Sequence, residues 1–210
     1  MNTVYIIGAG GFGREVLQWI KDINRVKPTW NIGGFLDDNL NALDKIPCDY
    51  KVVGRISDWQ PAQDEEFVLA IANPAVKQRI AEDFKARGAK FPPIIHPTAI
   101  VTDFTTYGEG TIMWPHAKLS VNSSCGDFVS IISTDVVHDI EIGSYCFIAA
   151  NTSILRNIKI GDHVFIASNA VIANDITIGD DAYIGMGSIV MKDVPAGYKT
   201  FANPARNLPG

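Results

Sequence analysis

The chain has 210 residues, 47% of them apolar, a little over one average domain and enough to bury a sizeable core. Disorder, collagen and a disulfide-stapled mini-scaffold are excluded by that composition. A formal net charge of −5 argues against a dedicated nucleic-acid binder, which would carry a basic patch.

Thr3-Val4-Tyr5-Ile6-Ile7 is a β-branched and aromatic run that predicts a buried parallel strand. Gly8-Ala9-Gly10-Gly11-Phe12-Gly13 follows and fits G-x-G-x-x-G. Arg14 to Ile23 then sets Val16, Leu17, Ile20 and Ile23 on one helical face. A second strand is expected around Ile32 to Leu36, ending in Asp37-Asp38-Asn39. Val52-Val53 and Phe67 to Ile71 read as further strands, and Ala75 to Arg87 as an amphipathic helix stopped by Gly88. Strand and helix alternating at this spacing predict a small parallel sheet, a Rossmann-like half-domain over residues 1–95. A loop of this kind turns sharply and lets N–H groups at a helix start approach a phosphate. An acidic residue some two dozen positions on, here Asp37, can bond a ribose hydroxyl. The pattern points to a nucleotide, although glycines that only let strand and helix pack closely would read the same way.

The second half is built differently. Residues 1–90 hold 12 Lys+Arg and 12 Asp+Glu, whereas residues 91–210 hold 6 and 11, and 14 of the 27 isoleucines fall between Ile131 and Ile189. From Ile142 onward every sixth residue is aliphatic: Ile142, Ile148, Ile154, Ile160, Ile166, Ile172, Ile178, Ile184 and Val190. An earlier register runs Val101, Tyr107, Met113, Leu119, Cys125, Ile131, Val137. Glycines follow at Gly108, Gly126, Gly143, Gly161 and Gly179, spaced 18, 17, 18 and 18. Three sixes make one coil, so the period predicts a triangular solenoid of short parallel strands over residues 96–194, with a capping segment over 195–210. The spacing of 17 makes the coil that contains His138 irregular, either a harmless corner deletion or a deviation that aims a side chain into a site.

Cys48, Cys125 and Cys146 are an odd set without zinc-like spacing, and read as packing residues. The chain opens directly on a strand, without the segments of a secretory leader, and holds no run of eighteen apolar residues. A reduced cytoplasmic protein with no membrane span is expected.

Taken together, Ile7 to Gly13, Gly34-Phe35-Leu36-Asp37-Asp38, Ala70-Ile71-Ala72-Asn73-Pro74, Ile95-His96-Pro97-Thr98-Ala99, Val137-His138-Asp139, the hexapeptide coils, Val194-Pro195-Ala196-Gly197 and Asn203-Pro204-Ala205-Arg206 resemble, end to end, the sialic-acid O-acetyltransferase and bacillosamine N-acetyltransferase family of hexapeptide-repeat sugar acyltransferases. The resemblance implies a left-handed β-helix, a homotrimer, and acetyl-CoA lying between neighbouring helices. Gly143, Phe147, Ala149, Ala167, Gly185, Pro204 and Arg206 are then candidate coenzyme contacts. It also implies that Gly10, Gly11, Phe12, Gly13, Asp37, Asp38 and Asn73 meet a nucleotide-linked sugar, of 4-amino-4,6-dideoxy type, for surface glycan synthesis. Relatives often carry histidine where this chain has Phe12 and Phe147, and one more residue before the site histidine.

Acyl transfer to an amine needs a base, and imidazole titrates in the useful range. His138 matches the family's catalytic position and Asp139 the acidic residue after it, with coil N–H groups near Gly143 as candidate oxyanion donors. His96, His116 and His163 read as structural, packing or solvent-facing. Sugar N-acetylation is the leading expectation and O-acetylation its alternative. A non-catalytic nucleotide-sugar binder remains a further reading. A zinc enzyme is disfavoured, because the gaps of 22 and 25 around His138 form no tight histidine pair, and no metal is expected.

Overall fold

A computed structural model describes residues 1–201 and 206–208. The first half is a four-stranded parallel sheet: β1 (Thr3–Ile7), β2 (Asn31–Leu36), β3 (Val52–Gly54) and β4 (Glu65–Leu69), in the order β3-β2-β1-β4. Helix α1 (Gly11–Val26) follows β1 and buries Val16, Leu17, Trp19 and Ile20. Helix α2 (Pro74–Ala86) follows β4. It begins one residue before the expected Ala75: Asn73 caps it by accepting from the Val76 N–H at 3.0 Å, and Pro74 occupies the first helical position, where no amide donor is missed. Its end falls where the sequence sets it, because Gly88 takes φ +86°, which closes the last turn.

The second half is a parallel β-helix of three faces. The first runs from Ile94–Ile95 through Ile112–Met113, Ser130–Ile131, Phe147–Ile148, Phe165–Ile166 and Tyr183–Ile184 to Lys199–Phe201. The second runs from Ile100–Val101 to Ile189–Val190, and the third from Thr106–Tyr107 to Thr177–Ile178. The repeat residues stack in columns, Ile131–Ile148–Ile166–Ile184 on the first face and Val136–Ile154–Ile172–Val190 on the second. Almost all are fully buried, which removes each from water at a gain of about 1.5–3 kcal/mol. The Lys199–Phe201 strand then pairs antiparallel with Arg206–Leu208.

Every corner needs one residue in the left-handed region. Asn122, Phe128, Asp139, Tyr145, Asn151, Asn157, His163, Asn169, Asp175 and Asp181 supply it, at φ between 55° and 62°. Asn and Asp tolerate this conformation best among non-glycine residues. The step is six residues everywhere from Phe128 onward except once: Phe128 is followed by Ser133, at φ 39°. The missing residue therefore falls between Ile131 and Ser133, at the corner between the first and second faces. This corrects the sequence register, which carried the early phase as far as Val137. Val136, not Val137, is the inward residue, pairing with Ile154 and fully buried. The corner that holds His138 is regular.

The two halves share a core. α2 and its neighbours bring Phe67, Phe84 and Phe91 against Phe128 of the solenoid, with Phe91 and Phe128 edge to face at 5.0 Å. Phe12 and Ala72 pack on Ile132, Phe147 and Ala149. The junction is tied by His96, 8% exposed, whose Nδ1 accepts from the Thr98 N–H at 3.1 Å while Nε2 faces Asp22 of α1 at 3.4 Å. The N-terminal half thus covers the first face of the solenoid.

Candidate active site

The glycine loop forms the tight β1–α1 turn that its spacing predicts. Gly8 adopts φ +100°, where a Cβ would sit 2.9 Å from the Ala70 carbonyl, and a Cβ on Gly13 would run into the Gly8 carbonyl. Both positions require glycine. Gly10 caps α1 without a side-chain bond, so the orphan N–H groups of the first turn point out beside exposed Gly10 and Gly11. Such a helix start is a ready anion site.

Asp37 is built into this loop: Oδ2 accepts from the Ala9 N–H at 2.8 Å and Oδ1 from the Asn39 N–H at 2.9 Å. Asp38 accepts from the Ile56 N–H through Oδ1, and its carbonyl accepts from Arg55. Beside it opens a cleft of about 360 Å³ lined by Asp38, Ile56, Ser57, Arg79, Ile80 and Asp83. It couples apolar walls to charged edges at the carboxyl end of the sheet, where nucleosides bind in such folds. Ile56, Ser57 and Arg79 were missed by sequence reasoning, because nothing in their spacing marks them. Asn73 lines a separate cleft of about 200 Å³ with His163, Phe165 and Tyr183, and its side-chain oxygen is spent on capping α2.

Phe12 does not face solvent freely. It stacks on Trp114 at 6.1 Å and meets Phe147 edge-on at 5.6 Å, while Trp114 leans on Trp19 at 4.2 Å. The Trp114 Nε1 is buried without a partner. An aromatic wall thus lies under the glycine loop.

His138 and Asp139 stand on the corner between the second and third faces, half exposed, with side chains 46% and 49% accessible. The turn between them lets neighbours in sequence converge: His138 Nδ1 and Asp139 Oδ2 are 2.6 Å apart. A carboxylate only accepts, so Nδ1 carries the proton and Nε2 presents its lone pair outward. Asn122, in the same corner position one coil earlier, donates to Asp139 Oδ1 at 3.2 Å. The bonds from His138 and then Asn122 hold the Asp139 carboxyl below its usual range. Asn122 was within reach of the sequence, since the corner period places it 17 residues before Asp139. Arg156 takes the His138 position one coil on, where the Asn157 N–H donates to the His138 carbonyl at 3.3 Å.

Both halves of the chain are similar to known proteins. Residues 3–84 match the PglD N-terminal domain, and residues 157–192 match the bacterial transferase hexapeptide, six repeats. GDP-perosamine N-acetyltransferase of Escherichia coli O157:H7 is 32% identical over 150 residues, covering 71% of this chain and 68% of that protein. The chain belongs to the hexapeptide-repeat sugar acetyltransferases. UDP-N-acetylbacillosamine N-acetyltransferase of Bacillus subtilis is 28% identical over 117 residues, 54% of this chain and 51% of that one. The acetyltransferase domain of PglB from Neisseria gonorrhoeae, solved with acetyl coenzyme A, superposes at TM-score 0.89 with 26% identity over 99% of each chain.

Within this acetyltransferase family the coenzyme candidates sort by position. Gly143, at a turn, is tightly overlain by the next coil, and its N–H donates to the Ile160 carbonyl at 2.8 Å. The ladder thus uses the Gly143 N–H itself, and an oxyanion donor would have to be another N–H near it. Phe147 and Ala149 lie under the N-terminal half, 9% exposed each, and not on an open solenoid face. Ala167 is buried, Gly185 lies beneath the Phe201 ring, Pro204 lies outside the described residues, and Arg206 begins the last strand. Among the described residues no group of three His, Cys, Asp or Glu side chains could hold a metal, and no helix is long and apolar enough to cross a membrane.

Proposed function

We propose that this chain is an acetyl-CoA-dependent N-acetyltransferase that acylates the amino group of a nucleotide-linked sugar, of 4-amino-4,6-dideoxy type, in the cytoplasm. The His138–Asp139 pair carries the reading: a tautomer fixed at Nδ1 leaves Nε2 as the base. The amine attacks the thioester carbonyl as Nε2 takes its proton. The tetrahedral intermediate then collapses, and the imidazolium proton goes to the departing coenzyme A thiolate. Asp139 stabilises the imidazolium in between. Neither a metal nor a covalent enzyme intermediate takes part.

The nucleotide would lie along the glycine loop, with its diphosphate at the α1 start and its base in the Asp38–Arg79 cleft. In this reading residues 1–95 hold the nucleotide and residues 96–194 the acyl donor. His138 stands on the solenoid corner opposite the face that the N-terminal half covers. That arrangement supports a homotrimer in which one subunit's loop delivers sugar to another's His138.

The test is release of thiol from acetyl-CoA against a panel of nucleotide amino sugars and their hydroxyl counterparts. Turnover is expected with an amine and should fall at least about 1,000-fold in His138→Ala. Turnover with hydroxyl sugars alone would replace the reading with O-acetylation. Wild-type turnover in His138→Ala would remove the base assignment.

A further inference from the structure

Among the described residues Lys77 is the one charged side chain that is fully buried, 1% exposed, and the reaction as derived does not use it. It rises from α2, one turn past the Asn73 cap, and crosses into the solenoid. There Nζ donates to the Phe128 carbonyl at 3.0 Å, the Cys146 carbonyl at 3.1 Å and the Ser130 hydroxyl at 3.2 Å. Three partners on two successive coils thus meet one nitrogen, the Ser130 hydroxyl being able to accept from an ammonium or donate to an amine, and the Phe147 ring lies 5.6 Å from it. The titratable group facing it from the solenoid is the buried Cys146 thiol. An apolar side chain would avoid the cost of a buried ammonium but leave the Phe128 carbonyl without the bond the lysine gives it, a structural use beside which a functional one can be set.

Its location supplies one. The acceptors are fixed points of the coil ladder, so three bonds from a single atom define where α2 sits along and across the solenoid. α2 in turn carries Asn73 at the carboxyl edge of the sheet, and Arg79 and Asp83 in the cleft beside Asp38. Apolar contact between the Phe84, Phe91 and Phe128 rings is non-directional. The part-exposed Lys85–Glu109 pair and the His96–Asp22 contact also link the halves, and Lys77 adds three bonds buried from water that restrict sliding further.

We propose that Lys77 is a positioning residue for acyl transfer, a three-bond pin that sets the register between the nucleotide-holding half and its own coils, and through the contact between subunits the distance to the neighbouring His138. The proposal rests on the functional reading above. A substrate anchored by its nucleotide gains its rate from delivery at a fixed distance, and a misplacement of about 1 Å costs on the order of 100-fold. Loss of the pin should therefore spare binding of each partner and impair delivery.

The experiment compares wild type, Lys77→Met and Ser130→Ala in two transfer reactions from acetyl-CoA. One acceptor is the nucleotide amino sugar that the wild type uses, and the other is the same amino sugar without its nucleotide. Calorimetric titration with the nucleoside diphosphate counts competent sites. In Lys77→Met, kcat for the linked sugar should fall about 10- to 100-fold. Nucleotide affinity and stoichiometry, the KM for acetyl-CoA and the slow rate with free sugar should stay as in wild type. Ser130→Ala, which keeps both carbonyl acceptors and removes only one bond, should move the same ratio about 2- to 5-fold. It reports even if Lys77→Met does not fold.

A purely structural lysine lowers thermal stability, or the number of binding sites, without changing the linked-to-free ratio per site. An unchanged ratio in the folded variants overturns the proposal. Absence of transfer by the wild type to every nucleotide amino sugar would instead overturn the functional reading itself.

Discussion

Asp139 stays ionised further into acid than an ordinary aspartate, since the bonds from His138 and Asn122 hold its carboxyl below the usual range. Asp139 therefore adds no acid limb to the rate profile above the ordinary aspartate range. Asp139→Asn removes the charged acceptor and should lower kcat about 10- to 100-fold, with the KM for acetyl-CoA unchanged in steady-state assays. Lys77 has a signed pH dependence of its own. Burial lowers its ammonium to about 7 in the fold, whereas the unfolded chain holds that proton to about 10.4. Between those values the unfolded state binds more proton, so stability from this group rises with pH from about 7 and does not change below it. The Cys125 and Cys146 thiols, pushed up to about 11 and about 12 by burial, act in the opposite sense once unfolded thiols ionise above about 8.5. Urea unfolding between about pH 6.5 and 8.5 should therefore gain about 2 kcal/mol more in wild type than in Lys77→Met. Equal pH slopes would contradict the buried charge.

At the scale of elements, short-range signals proved the readable ones. Gly88 ends α2 because a helix stop is a chemical event at a single position, and the six-residue period defines the solenoid because each coil repeats the same inward residue. What the period could not show is where a missing residue falls. Val136 and Val137 are both apolar, and only pairing with Ile154 decides between them. The Lys77 bonds were equally hidden, since their partners lie 51 to 69 residues away and two are backbone carbonyls. Nor could spacing reveal Phe12 against Phe147, a contact made only when the halves dock. Column position also ranks stability. Ile148 is fully buried between Ile131 and Ile166, so Ile148→Ala should cost about 2–5 kcal/mol in chemical unfolding. Ile100, 51% exposed on the first coil, should cost under about 1 kcal/mol when changed likewise.

Across the whole molecule, charge and assembly are linked. The surplus of acid lies wholly in residues 91–210, 6 basic against 11 acidic, so an anionic coenzyme must find local cations such as Arg156, Lys159 or Lys199. Arg156 stands one coil from His138, while Lys159 is already turned toward Glu141 at 3.5 Å. If loop and base come from different subunits, His138→Ala and Gly11→Glu chains should each be inactive alone and active when co-assembled. Random mixing then restores about a quarter of the sites, read as specific activity against input ratio, and no recovery would place the whole site within one chain. The five-residue step from Phe128 to Ser133 has a wider meaning for how such a molecule can change. Beyond it the columns run on undisturbed in space, Ile131 over Ile148 and Val136 over Ile154, although every later residue has moved one place in the count. A solenoid of this kind measures its length in coils rather than residues, so corners act as joints at which sequence can be gained or lost without rephasing the lattice downstream.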